Sequence, residues 1–178
     1  MEYVECPKVW ERLPGQPSVF LAGGITGCPD WQKKLARELV LTNYAVLNPR
    51  RRPFPMGDPS ATEQQITWEF QHLRKADVIA FWFCKESIQP IALFELGAWS
   101  KQKDPAVIVG VEHGYPRQVD IAIQMGLLGR GVVSSLEKLA SQLINIEPSI
   151  SVRLSNNACS RPAFGFGGLC ESDESAGG

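Results

Sequence analysis

Histidine is scarce in this 178-residue chain, with only His72 and His113 present. That scarcity excludes a His-rich metal centre. The five cysteines, Cys6, Cys28, Cys84, Cys159 and Cys170, form no CxxC pair. Neither a structural zinc site nor a disulfide framework is therefore expected. Free thiols fit a reducing, cytoplasmic location. No apolar run reaches the roughly 20 residues that a membrane span needs. The opening stretch, Met1 to Lys8, is acidic and polar and lacks a signal-peptide core. Neither sign of charge dominates, since 18 Lys+Arg face 19 Asp+Glu for a net charge of −1. Global electrostatics thus give no case for nucleic acid or a membrane surface. A hydrophobic fraction of 44% and a charged fraction of 21% are ordinary for a globular domain.

What is present is an alternation of short apolar runs and helical periods. Residues 1–17 hold little periodicity, with two prolines before Gln16, and read as a leading arm. Ser18 to Gly23 is an apolar run stopped by Gly23 and Gly24, hence a buried strand. Asp30 is placed to cap a helix carrying Trp31, Leu35 and Leu39. A second strand starts at Ala45 and closes at Pro49, before a loop rich in Arg and Pro. Thr62 reads as the cap of a helix running to Lys75. Ala76 to Cys84 is nearly continuous apolar strand, and Ile91 to Gln102 is a helix. Strands at Ala106 and near Gly131 and helices at Arg117 to Met125 and Ser135 to Ile144 complete the pattern. Strands that are apolar throughout and alternate with helices predict a single α/β domain over 18–146. Its core is a doubly wound parallel sheet of about five strands, flavodoxin-like or Rossmann-like. Residues 147–178 read as a flexible tail.

Two carboxylates stand out because their surroundings need no charge. Asp77 opens the apolar strand, and Glu95 sits in the helix among Leu93, Phe94, Leu96 and Ala98. Burying an unpaired carboxylate costs several kcal/mol, so such groups point to a site. The glycine loop, Gly23, Gly24, Ile25, Thr26 and Gly27, leaves the first strand at its carboxyl end, where ligands collect in such sheets. Its N–H groups can receive a phosphate or hydroxyl oxygen. The spacing matches neither GxGxxG nor a P-loop, and no cofactor is expected. Arg50, Arg51 and Arg52 follow the second strand. A guanidinium there, Arg51 in particular, can hold a phosphate, and a solvated loop is the plain alternative.

Three segments in order, Val19 to Ile25, Ala76 to Phe81 and Phe94 to Trp99, resemble the nucleoside 2-deoxyribosyltransferase-like proteins. These include transferases that move 2-deoxyribose between bases and hydrolases of deoxynucleoside monophosphates. The resemblance spans roughly Ser18 to Leu136 and implies a nucleoside or nucleotide as the small-molecule partner. It implies that Glu95 is the nucleophile, forming a glycosyl ester at the anomeric carbon. It implies that Asp77 contacts the sugar or assists proton transfer. Glu69 falls where deoxyribosyltransferases carry an Asp that handles the proton of the base. Phe20 stands where the family often has a Tyr on the first strand. Ser87 or Gln89 stands in for the Ser or Asp that holds sugar or phosphate. The family builds sites across subunit contacts, which implies a homodimer or larger homo-oligomer, with the Thr62–Lys75 and Ile91–Gln102 helices at the contact. Two alternatives stay open: a nucleotide-binding or sensing module with altered catalysis, and an interaction protein whose tail, Cys159 to Gly178, recruits a partner.

Overall fold

The computed structural model describes residues 1–52, 54, 55 and 57–159. Six strands form one parallel sheet: β1 (Glu2–Glu5), β2 (Ser18–Gly23), β3 (Ala45–Asn48), β4 (Val78–Phe83), β5 (Ala106–Val111) and β6 (Val132–Val133). Their order across the sheet is β1-β3-β2-β4-β5-β6. Without β1 this is the flavodoxin-like order, with the direction of winding reversing between β2 and β4. The helices are α1 (Trp31–Glu38), α2 (Pro59–Lys75), α3 (Pro90–Trp99), α4 (Gln118–Leu127) and α5 (Leu136–Cys159).

The two-residue period of β4 explains why its sequence is apolar throughout. Ile79, Phe81 and Phe83 pack into one core with Trp68 of α2, Leu96 of α3 and Ile121 of α4. Val78, Ala80 and Trp82 pack into a second core with Leu35 of α1 and Leu143 of α5. A strand covered on both faces has no side that tolerates water.

Three boundaries differ most from the sequence reading. Residues 1–17 are not a free arm: Glu2–Glu5 pair in register with Ala45–Asn48, and Val4, Cys6 and Trp10 are buried. Acidic residues at both ends hid this strand, and charge is what edge strands carry to discourage further pairing. The helix before β4 starts at Pro59, capped by Asp58 rather than Thr62; the Asp58 carboxylate accepts from the Ser60 N–H at 2.9 Å. The final helix continues past residue 146 and contains Pro148. A proline inside a helix costs about 3 kcal/mol. Ile146, Ile150 and Leu154, which pack on the second core, offset that cost. The remainder of the proposed tail, 160–178, lies outside the described residues. Among the described residues no helix is long and apolar enough to cross a membrane.

Candidate active site

The glycine loop is shaped by close approach of three elements. Gly23 has φ +148°, and a Cβ there would run into the Trp82 carbonyl oxygen of β4. A Cβ on Gly24 would meet the Cys28 sulfur and lie 2.7 Å from Gln89 Cδ. Glycine is required at both positions because no side chain fits. The loop's carbonyls are tied down from below by Arg50, which is buried. Its Nη2 donates to the carbonyls of Gly24 (3.3 Å), Ile25 (3.2 Å), Cys28 (3.2 Å) and Pro29 (2.9 Å). Its Nε donates to Gln32 Oε1 at 3.0 Å. Trp31 Nε1 adds a bond to the Gly24 carbonyl at 2.9 Å.

Above this loop, at the β2/β4 switch point, lies a cavity of about 450 Å³. It brings together Phe20, the Gly23–Thr26 loop, Ser87, Gln89 and the two carboxylates Glu69 and Glu95. Glu69 comes from α2 and Glu95 from the second turn of α3. Burial and the charge of Glu69 push Glu95 up to about 7. Burial also raises Glu69, opposed by a hydrogen bond from Gln65. Among the described residues no cation pairs with Glu95. Two half-buried carboxyls whose charges oppose each other hold their protons more tightly than free ones, which suits one as nucleophile and the other as acid.

Gln89 caps α3 in the left-handed region, φ 56° and ψ 59°. A non-glycine residue held there costs of order 1–3 kcal/mol and marks a place where structure is constrained by something other than local preference. Its Nε2 donates to the carbonyls of Cys84 (2.7 Å) and Ser87 (3.1 Å). Its Oε1 is buried and has no partner. The amide therefore has no spare donor for the cavity. Ser87 Oγ lies 3.4 Å from Cys28 Sγ, and Phe20, beside Trp68 at 6.0 Å between ring centroids, presents no hydroxyl.

Two residues singled out in the sequence sit elsewhere. Asp77 immediately precedes β4, at the amino end of the sheet. Six strand residues at about 3.3 Å each put it roughly 20 Å from the end where the cavity opens. Its Oδ2 accepts from the Ser18 N–H (2.8 Å), Ser18 Oγ (2.7 Å) and Arg12 Nη1 (2.8 Å), and Arg153 of α5 lies 3.8 Å from Oδ1. Its partners make it a clasp between β2, β4, α5 and the segment after β1. Arg51 points to α2, donating to Gln64 Oε1 at 2.9 Å, and does not line the cavity. Arg50, its neighbour, is the buried arginine, and Arg52 pairs with Asp30 at 3.1 Å. The sequence reading missed Gln65, whose neutral side chain carries no signal of its own. It weighed Arg50 as a phosphate ligand or part of a solvated loop and not as a buried brace, although its place directly after Asn48 and Pro49 sets it nearest the glycine loop. Among the described residues no group of three or more His, Cys, Asp or Glu is placed to hold a metal ion.

A flavodoxin-like parallel sheet with paired carboxylates over its switch point defines an α/β protein that takes a small molecule at the strands' carboxyl ends. The chain belongs to the nucleoside 2-deoxyribosyltransferase-like family, whose model matches residues 16–115. That span runs from before β2 past β5 and includes Glu69, Gln89 and Glu95. No curated protein matches the chain.

Proposed function

We propose that this protein cleaves the N-glycosidic bond of a 2-deoxynucleoside and passes the sugar to a second base or to water. The observation that carries the reading is the placing of Glu95 and Glu69 on one cavity, with Glu95 raised to about 7 by burial and by Glu69. The Glu95 carboxylate attacks the anomeric carbon from the face opposite the base. The C–N bonding pair leaves with the base, which takes a proton from Glu69. The resulting glycosyl ester is opened when an acceptor base or water, giving its proton to Glu69, attacks the same carbon and the Glu95 carboxylate departs. A 2′-hydroxyl withdraws electrons from the oxocarbenium-like transition state, so the deoxy sugar reacts faster.

What supports a nucleoside over its 5′-monophosphate is the lining. It holds two carboxylates and, among the described residues, no Lys or Arg. The test is a panel of nucleosides and monophosphates, deoxyribo and ribo, with and without acceptor base. Deoxynucleosides release base at least about tenfold faster than ribonucleosides, a difference of roughly 1.4 kcal/mol in barrier, and a 5′-phosphate slows the reaction. Equal ribo rates remove the sugar assignment, and faster monophosphate turnover removes the nucleoside assignment. If no base is released from any member, the sensing module, which the missing hydroxyl at Phe20 favours, becomes the better reading.

The same proposal includes a homodimer built on α2 and α3. Ile66 and Phe70 of α2 are each 61% exposed, and Ile91 and Phe94 of α3 are 66% and 75% exposed. Phe70 and Phe94 each follow or precede a cavity carboxylate in sequence, so the contact borders the cavity mouth. Light scattering at micromolar concentration gives twice the chain mass, and a Phe70→Glu/Phe94→Glu protein gives one. A monomeric wild type removes this part of the proposal.

A further inference from the structure

Gln65 sits one helical turn before Glu69 on α2 and touches three things at once. Its Nε2 donates to Glu69 Oε1 at 2.7 Å and to the Pro49 carbonyl at 2.6 Å. Its Oε1 accepts from Cys6 Sγ at 3.0 Å. A carboxamide can be turned end for end, and these partners decide which way it points. The thiol of Cys6 is buried just beyond β1. Burial, with the nearby charge of Glu69, pushes it up to about 11, so it keeps its proton and acts as a donor. The Pro49 carbonyl accepts only. Both contacts therefore direct the NH₂ group of Gln65 at the cavity side, where Glu69 Oε1 receives one of its hydrogens.

We infer that Gln65 is a positioning residue for the cavity acid: oriented by Cys6 and Pro49, it fixes the Glu69 carboxyl toward the substrate and sets how readily that group gives up its proton. The inference rests on the proposed role of Glu69 in moving the proton of the base. It ties the amino-terminal strand to the chemistry, through β1, Cys6, Gln65 and Glu69 in turn. The charged and titratable groups around Glu69 are Glu95 from α3, Cys6 from the end of β1 and, beyond Cys6, Arg51 from the loop after β3. Of these, none donates a hydrogen bond to Glu69; Gln65 alone does so among the described residues. A donor favours the ionised carboxylate, so removing it raises the proton affinity of Glu69 and leaves its side chain free to turn.

The variants are Gln65→Leu, Cys6→Ala and Cys6→Ser, the last retaining a donor. In Gln65→Leu, kcat falls about tenfold, a tenth or less of what a general acid contributes, while KM changes little. The alkaline limb of the kcat/KM profile, which reports loss of the Glu69 proton, moves to higher pH. A second readout needs no substrate: the side-chain carboxyl ¹³C resonance of Glu69, assigned by its absence in Glu69→Gln, titrates at higher pH in Gln65→Leu than in the wild type. Cys6→Ala shifts it in the same direction, and Cys6→Ser returns it toward the wild-type position. An unmoved Glu69 titration in Gln65→Leu overturns the inference, whatever the activity. Absence of nucleoside turnover in the wild type overturns the functional reading and leaves the titration result to decide the placement of Gln65.

Discussion

Glu95→Ala lowers kcat/KM for a 2-deoxynucleoside by about a thousandfold or more, equivalent to roughly 4 kcal/mol of barrier, while the fold persists. The side chain is half-buried at the cavity and pairs with no cation among the described residues, so its removal orphans none of them. The Glu95→Gln variant separates function from stability. Glu95 titrates near 7 in the folded chain against an ordinary value of 4.5. Between those two values the unfolded chain has released this proton and the folded chain still holds it. The wild type therefore loses stability as pH rises through that window, by at most about 3 kcal/mol. Glutamine carries no such cost, so the variant is inactive yet more resistant to urea at pH 8, with the advantage gone by pH 4. Near-normal turnover by either variant removes Glu95 from the mechanism.

Asp77→Ala lowers the unfolding free energy by about 2–3 kcal/mol, the cost of leaving buried donors without their acceptor, with little added by the partly exposed Arg12. The side chain is 8% exposed. Alanine leaves the Ser18 N–H and hydroxyl without their acceptor and the guanidinium of Arg12 without its counter-ion. Arg12 also donates to the Lys75 carbonyl, so part of its anchorage survives. Urea titration reads the loss as a lower midpoint, and the folded fraction keeps its kcat. An Arg12→Ala/Asp77→Ala double variant destabilises by less than the sum of the single changes because the two share one interaction. A fall in kcat with an unchanged midpoint would return Asp77 to the chemistry and sink the clasp.

Asp77 and Glu95 gave the same signal in the sequence, a carboxylate among apolar neighbours, and the structure separates them by the length of a strand. Composition reports that a charge is buried and not which end of the sheet it occupies. Chain direction carries that information: a residue that precedes a parallel strand lies at its amino end, away from the ligand crevice. The central strands were legible because both of their faces are covered. β1 was not, because a half-covered edge strand four residues long has too few apolar positions to stand out. The arginine cluster shows a finer limit. Arg50 and Arg51 are adjacent, yet one turns inward to the glycine loop and the other outward to α2. Loop backbone without a fixed period gives no rule for which of two neighbours is buried. Glu69 stood out only through the family resemblance, by its position eight residues before Asp77, whereas the Gln65 amide bonded to it has neither charge nor an apolar context to single it out.

The inward arginine has a consequence for how a molecule enters the cavity. With Nη2 bonded to four loop carbonyls and Nε to Gln32, Arg50 holds the loop in its folded shape before anything arrives. Arrival then requires no ordering of backbone, and the entropy of closing that loop is settled at folding rather than at each encounter. The heat capacity change of binding then reports the apolar surface of the molecule and of the cavity lining, Phe20, Ile88 and Ile91 among it, with no contribution from folding of the loop.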